Sequence, residues 1–231
     1  MPLFDCVIPQ YCHFIMYERL TITESKIARQ RARRIINDVQ ALLSDKYIFC
    51  PRFVGSVAWG TAIKDDKGEY DLDYQLLLTP NSPEYIDNQL SNPTQIKNDF
   101  LKAFIKASTK HEIIENSTTA ITLINKDHKP FHIDFVIIKL LPDNNQIIRR
   151  NNKAHSSINE YTWNQLPKFN DAYYFFNLLT PQEKQYLIEQ IIIPKKIIEK
   201  KKSDNDPSKI SSSALFIREV NNYYANRKRN H

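Results

Sequence analysis

The sequence predicts an α/β (α+β) fold, with strands and helices mixed over residues 1–140 and a small helical lobe over residues 141–231. Three observations carry this. Ile22, Ile27, Ile35, Val39, Leu42 and Leu43 recur at helical spacing near the start of the chain. Two apolar runs, residues 70–78 and 131–138, have the length and the aromatic and aliphatic content of buried strands. Beyond Pro142 the composition turns to Asn, Lys and Arg without a sheet signal, and only helical patterns follow.

Taken in order, residues 1–20 mix aromatics with Cys12 and His13 and read as an ordered lead-in. Thr21 with Glu24 three residues on fits a capping box, opening a helix of about twenty residues. Arginines crowd this helix, and Lys26, Arg29 and Arg33 fall at i, i+3 and i+7 on one face. The plainer reading of that face is surface ion pairing with Glu24 and Asp38. Residues 47–54 form the first strand, and Lys64 to Gly68 the turn before the second, with Asp65 and Asp66 as turn residues. Asn81-Ser82-Pro83 and Asn92-Pro93 bracket a loop and a short helix, after which Ile96, Phe100, Leu101, Phe104 and Ile105 mark a helix packed on the sheet. Residues 112–115 and 120–124 are further strands, and residues 125–130, with His128, turn as a hairpin into the strand of residues 131–138. In the lobe, Thr180-Pro181 with Glu183 starts a helix carrying Tyr186, Leu187, Ile191 and Ile192. A basic linker, residues 200–208, precedes a last helix entered at Ser211 to Ser213 with Leu215, Phe216, Val220 and Tyr223.

The chemistry concentrates between Phe53 and Leu78, which hold all three glycines of the chain, Gly55, Gly60 and Gly68. Gly55-Ser56 after the apolar Phe53-Val54 reads as a strand running into a phosphate-binding turn, where a helix N-terminus and the Ser56 hydroxyl offer donors to an anion. Asp71 and Asp73 alternate along a strand and so share one face, opposite Tyr70, Leu72, Tyr74 and Leu76. Two carboxylates so placed repel, by roughly 4 kcal/mol at 4 Å and an effective dielectric near 20, unless a cation lies between them. Asp134 is a lone acid in the second apolar strand, and a buried unpaired carboxylate costs several kcal/mol. With the two strands side by side, the three acids form a site that can hold the two magnesium ions of phosphoryl-transfer enzymes. His132, on the face of Asp134, is placed to orient a carboxylate or phosphate, although a polar neighbour at the rim is the commoner role.

The ordered set Gly55-Ser56, Gly60-Thr61, Asp71-Leu72-Asp73 and His132-Ile133-Asp134 resembles the nucleotidyltransferase fold of the DNA polymerase β superfamily. Within it, the nearest likeness is to the bacterial cyclic-oligonucleotide synthases of the CD-NTase family, relatives of animal cyclic GMP-AMP synthase and oligoadenylate synthase. The resemblance covers residues 21–140. It implies a catalytic core with a mixed sheet and a spine helix, with Gly55, Ser56 and Thr61 at the nucleotide and Asp71, Asp73 and Asp134 as catalytic metal ligands. It implies Mg²⁺, with Mn²⁺ as an alternative, nucleoside triphosphates (ATP, GTP or others) as substrates, and a cyclic or linear oligonucleotide made in antiphage defence. A toxin that nucleotidylates tRNA or protein uses the same core, and a catalytically silent nucleotide-binding module stays open beside it. The spine helix touches activating nucleic acid in animal relatives, which makes Lys26, Arg29 and Arg33 the candidates for such contact. Trp59 stands where these synthases often carry an arginine, and the chain is short for the family.

A formal net charge of +6 and a pI near 9.1 suit nucleotide or nucleic-acid partners without choosing between them. Much of the excess lies in the Arg29 to Arg34 helix and in the lysines from Lys195 to Lys202, where a solvated face is the commoner role. No run approaches the roughly 18 apolar residues of a membrane span, and the opening residues lack a signal-peptide pattern, so a cytoplasmic protein is expected. Cys6, Cys12 and Cys50 are odd in number and lack CxxC spacing, which implies neither a disulfide framework nor a zinc site.

Overall fold

The computed structural model describes residues 16–79, 90–126, 130–141, 145–151, 161–166 and 171–229. The expectations for Cys6, Cys12 and His13, for the loop and short helix after Asn81, and for His128 lie outside these residues.

The first half is a mixed sheet backed by two helices. Helix α1 (Lys26–Leu43) leads into β2 (Ile48–Val54), a single helical turn α2 (Gly55–Ala58), and the long strand β4 (Tyr70–Thr79). Helix α3 (Pro93–Ala107) follows, then β5 (Glu112–Asn116), β6 (Ala120–Asn125) and β7 (Phe131–Lys139). A short ribbon of β1 (Glu18–Arg19) and β3 (Ile63–Lys64) stands apart. The strands run in the order β2-β4-β7-β6-β5, and only the β4–β7 pair is parallel.

Strand alternation explains which face is covered. Leu72, Leu76 and Leu78 of β4 and Ile133, Phe135 and Ile137 of β7 are fully buried, and they pack with Ala32, Ile35 and Val39 of α1 and Ile96, Phe100 and Phe104 of α3. Each such side chain contributes about 1.5–3 kcal/mol of burial. Asn92 caps α3 by accepting from the Gln95 N–H, and Pro93 follows in the first turn, where no N–H is needed. The residues between β4's buried positions, Asp71, Asp73 and Gln75, are thereby committed to the opposite face.

Two departures from the sequence reading matter for the site. Strand signal was not expected beyond Pro142, yet β8 (Gln146–Arg150) pairs with the end of β7, and β9 (Tyr161–Gln165) pairs with β8. A division at residue 140 therefore falls inside the sheet. These strands are short and polar and are fixed by distant partners: the Tyr161 hydroxyl donates to Asn116 Oδ1, and Trp163 Nε1 donates to the Leu90 carbonyl. The second concerns α1, which begins at Lys26. The Thr21–Glu24 capping box does form, with each backbone N–H held by the other's side chain, but it closes a turn ahead of the helix.

The helical lobe consists of α4 (Ala172–Asn177), α5 (Pro181–Tyr186), a π-helical turn over Leu187–Ile192, α6 (Ile193–Lys201) and α7 (Ser212–Arg229). The expected Thr180–Glu183 capping box is present on α5, whereas α4 was not foreseen. Phe176, Leu187, Ile192, Phe216 and Val220 form a second core that takes in Ile63 and packs against Trp59. Trp59 stacks on Tyr173 at 4.8 Å and meets Phe176 edge-on at 5.5 Å. Trp59, at the end of α2, thus acts as an aromatic pin between that turn and the lobe. Among the described residues, no helix is long and apolar enough to cross a membrane.

Candidate active site

Strand β2 delivers the chain to Gly55 in an extended conformation, and Gly55 turns it with φ +74°. A Cβ at this position would lie 1.9 Å from Asp73 Oδ2, so only glycine lets the turn lie against the acid strand. The helix that follows spans only Gly55–Ala58, which limits its macrodipole and leaves the local N–H groups as the principal donors. Thr61 is buried beneath this turn, its N–H donating to Ser56 O at 2.8 Å and its hydroxyl to the same oxygen at 3.3 Å. Its side chain therefore shapes the Ser56 turn.

Asp73 and Asp134 are directly opposite in the parallel β4–β7 register. Burial, then the charges of Asp134 and Asp71, push the Asp73 carboxyl up to about 6, against the pull of Lys196. Asp134 is also raised, chiefly by burial, although Thr122 Oγ1 donates to its Oδ1 at 2.6 Å. Asp71 is the open member, with its side chain 59% exposed. His132 stands between Glu69, 3.0 Å from Nε2, and Asp71, 3.5 Å from Nδ1, and so can orient the latter.

Gly55, Ser56, Thr61, Asp71, Asp73 and Asp134 all line one cavity of about 320 Å³. The lobe supplies the other wall with Tyr173, Lys196, Lys200, Ser212, Ser213 and Phe216, none of which the sequence reading selected. Lys196 is 5% exposed, donates to Thr61 O at 3.0 Å, and is lowered to about 8 by burial and by Lys200, with Asp73 and Asp71 opposing. The lysine run read as a solvated face, but Lys196 and Lys200 lie four residues apart on α6, and that spacing sets both on one face.

Among the described residues, no cluster of three His, Cys, Asp or Glu side chains forms a metal cage by itself. The all-oxygen set of Asp71, Asp73 and Asp134 nevertheless fits a hard cation. Mg²⁺ is ordinarily held by one or two carboxylates together with water and substrate phosphate rather than by a closed protein shell. The desolvated, mutually repelling pair Asp73 and Asp134 is the feature such a cation would neutralise.

A second cavity, about 800 Å³, adjoins the first and shares Gly55, Trp59, Asp73, Tyr173 and Ser213 with it. Behind the sheet, Lys26 and Arg33 are exposed while Arg29 is half-buried and donates to the Ile22 carbonyl. Among the described residues, the ion pairs expected with Glu24 and Asp38 are not present: Glu24 pairs with Lys64, and the arginine that is paired from this helix, Arg31, meets Glu112.

No family model and no curated protein matches the sequence. Solved structures do match. The cyclic AMP-GMP synthase DncV of Vibrio cholerae, described as a prokaryotic cGAS homolog, superposes with a TM-score of 0.56 at 14% identity, over 89% of this chain and 68% of that one. A CdnC:HORMA-deltaN complex of Escherichia coli gives 0.52 at 16% identity, over 88% and 61%. The CD-NTase CdnG of Bradyrhizobium diazoefficiens, in complex with GTP, gives 0.50 at 15%, over 74% and 48%. The chain thus spans 48% to 68% of the length of these structures. At such identities the likeness is one of fold, and the chain has the nucleotidyltransferase fold of these CD-NTases.

Proposed function

We propose that this chain transfers a nucleotidyl group from a nucleoside triphosphate to a hydroxyl, releasing pyrophosphate, and that its product is a cyclic or linear oligonucleotide signal. One observation carries the reading: Asp73 and Asp134, in register on adjacent strands, open with Asp71 into the cavity that also holds the Gly55-Ser56 turn and Lys196. The turn's N–H groups and the Ser56 hydroxyl seat the phosphates, and Lys196 and Lys200 face them from the lobe. Thr122 holds Asp134, His132 orients Asp71, and the Gly55 contact fixes Asp73. Mg²⁺, when bound by the three aspartates, supplies charge neutralisation and lowers the pKa of the attacking hydroxyl. Positioning within this preorganised cleft accounts for most of the rate.

The second cavity beside Asp73, about 800 Å³, has the size of a small-molecule site, which favours a small acceptor over tRNA or protein. That DncV is described as a cyclic AMP-GMP synthase and that CdnG was solved with GTP supports the same direction. A part in antiphage defence in the cytoplasm is proposed on the sequence resemblance alone. Contact with nucleic acid through Lys26, Arg29 and Arg33 is a separate proposal, supported by the exposure of Lys26 and Arg33.

The test incubates the purified protein with Mg²⁺ and labelled triphosphates, with and without RNA or cell extract. Label in a small phosphatase-resistant product, lost in Asp73→Asn with the fold intact, is expected. Label on a macromolecule would instead identify a toxin-type transferase, and no transfer at all a silent nucleotide-binding module.

A further inference from the structure

The larger cavity has a floor that the three aspartates do not explain. On the Asp73 face of the sheet, the antiparallel β2–β4 register sets Arg52 opposite Gln75, just as it sets Val54 opposite Asp73. Gln75 lies two residues along β4 from Asp73, about 7 Å on the same face. Arg52 and Gln75 therefore form the far end of a floor whose near end is the acid pair. Val136 continues it on β7, Ile147 and Leu166 close one side, and Tyr173 stands over it from the lobe. Tyr173 lines this cavity together with both Asp73 and Arg52.

This pair is oriented in one sense only. Arg52 donates from Nε at 3.0 Å to Gln75 Oε1, and its Nη2 donates to the same oxygen. A guanidinium has no acceptor, so the Gln75 amide must turn its oxygen to Arg52 and keep Nε2 for something else. With Oε1 engaged by two N–H groups, what the pair offers a ligand is donors: Gln75 Nε2–H and the remaining N–H groups of Arg52. A glutamine free to rotate could offer its oxygen as well and read adenine by a donor–acceptor pair. This one cannot do so without breaking its bonds to Arg52.

We propose that Arg52 and Gln75 select the base of the acceptor nucleotide, admitting bases that present acceptor atoms at the floor. Guanine, with O6 and N7, and uracil, with O4, satisfy the pair. Adenine and cytosine would bring an exocyclic amine against a donor. The acceptor's hydroxyl lies at Asp73 and Asp134, its ring on the apolar walls beneath Tyr173, and its base edge on the donors. The inference rests on the nucleotidyl-transfer reading above.

The experiment separates donor from acceptor by chemistry. An equimolar mixture of the four α-labelled 2′,3′-dideoxynucleoside triphosphates can donate but cannot accept, and each unmodified triphosphate is added in turn as acceptor. Dinucleotide yield with GTP and UTP should exceed that with ATP and CTP by about tenfold or more, the discrimination expected of a good base contact. In Gln75→Glu one carboxylate oxygen pairs with Arg52 and the other accepts, so the preference should fall or reverse towards ATP and CTP. Arg52→Leu frees the amide to rotate, and the four acceptors should converge. Yields that fall by one common factor in both variants, with the wild-type ratio unchanged, would overturn the assignment while leaving nucleotidyl transfer intact. If the wild type joins no dinucleotide, the transfer reading fails, and calorimetry with guanosine, uridine, adenosine and cytidine decides the pocket. Selective binding of the first two that is lost in Gln75→Glu upholds it, and equal or absent binding refutes it.

Discussion

Replacing Gly55 with alanine should separate backbone strain from damage to the site, because Gly68 provides the matching control. Both glycines have positive φ, +74° and +80°, so alanine at either position costs about 1–2 kcal/mol of conformational strain. At Gly68 a Cβ meets nothing within 4 Å. At Gly55 it would sit 1.9 Å from Asp73 Oδ2 and 2.8 Å from Asp73 Cβ, so side chain and strand must both give way. Gly68→Ala should lose roughly 2–8 °C of Tm, from about 2–4 °C per kcal/mol at this chain length, and Gly55→Ala more, because the collision adds about 1–3 kcal/mol. Only Gly55→Ala should also lose nucleotidyl transfer, by about a hundredfold, the cost of misplacing a catalytic group by an ångström. Thermal melts and labelled-triphosphate assays on the two variants measure both effects. Equal loss of transfer in the two, or full activity in Gly55→Ala, would refute the claim that the Gly55–Asp73 contact sets the geometry of the site.

Other consequences follow from buried charge. Lys97 is 0% exposed and donates to the carbonyls of Thr119 and Ala120, and burial, then Arg150, lowers it to about 7, with Asp134 opposing. Because the unfolded chain keeps the proton up to about 10.5, the unfolded state binds more protons between these values and stability rises with pH across the window. The penalty, up to about 5 kcal/mol, is full below pH 7 and gone above pH 10.5. Urea melts at pH 6.5 and 9.5 should show this rise, and Lys97→Met should reduce it to the smaller part that Lys196, lowered to about 8, contributes in the same window. Lys196→Met removes a buried cation aimed at the cavity, so the KM for the triphosphate should rise at least about tenfold with secondary structure intact; an unchanged KM would remove Lys196 from the phosphate site. If Lys26 and Arg33 touch nucleic acid, changing both to Gln should reduce the slope of log affinity against log salt by about 0.9 per lost contact on duplex DNA, leaving basal synthesis unaltered.

The parts of the fold that could be read from sequence were those whose pattern is local. Strand β4 alternates between Leu72 and Asp73 because one face packs on α1 and α3 while the other opens into the cleft, and both demands are written in consecutive residues. The caps at Asn92 and Thr180 are equally local. Strands β8 and β9 were not legible because their stability comes from elsewhere: Gln146–Arg150 and Tyr161–Gln165 are short and polar, and their register depends on β7, Asn116 and Leu90. Helix α4 was lost for a related reason. Its six residues carry four consecutive aromatics, a run without period, and Trp59 and Phe216 rather than helix propensity decide where Tyr173 and Phe176 sit.

The same distinction divides the candidate site. Its acidic half lies on neighbouring strands, where alternation and a lone acid in an apolar run betray it. Its basic half lies 62 residues beyond Asp134, in a lysine-rich helix whose composition reads as solvated surface. Lys196 becomes buried only because the lobe docks through Trp59, Ile63 and Phe216, which carries its ammonium group to the Thr61 carbonyl. Burial then raises Asp73 and lowers Lys196, so each group disfavours its own charge and is relieved by the other. A site balanced in this way is sensitive to the docking of the lobe as well as to its own residues. A substitution in the aromatic pin, whose rings line the same cavity, should therefore act on the triphosphate site through the position of Lys196 as well as through the wall itself.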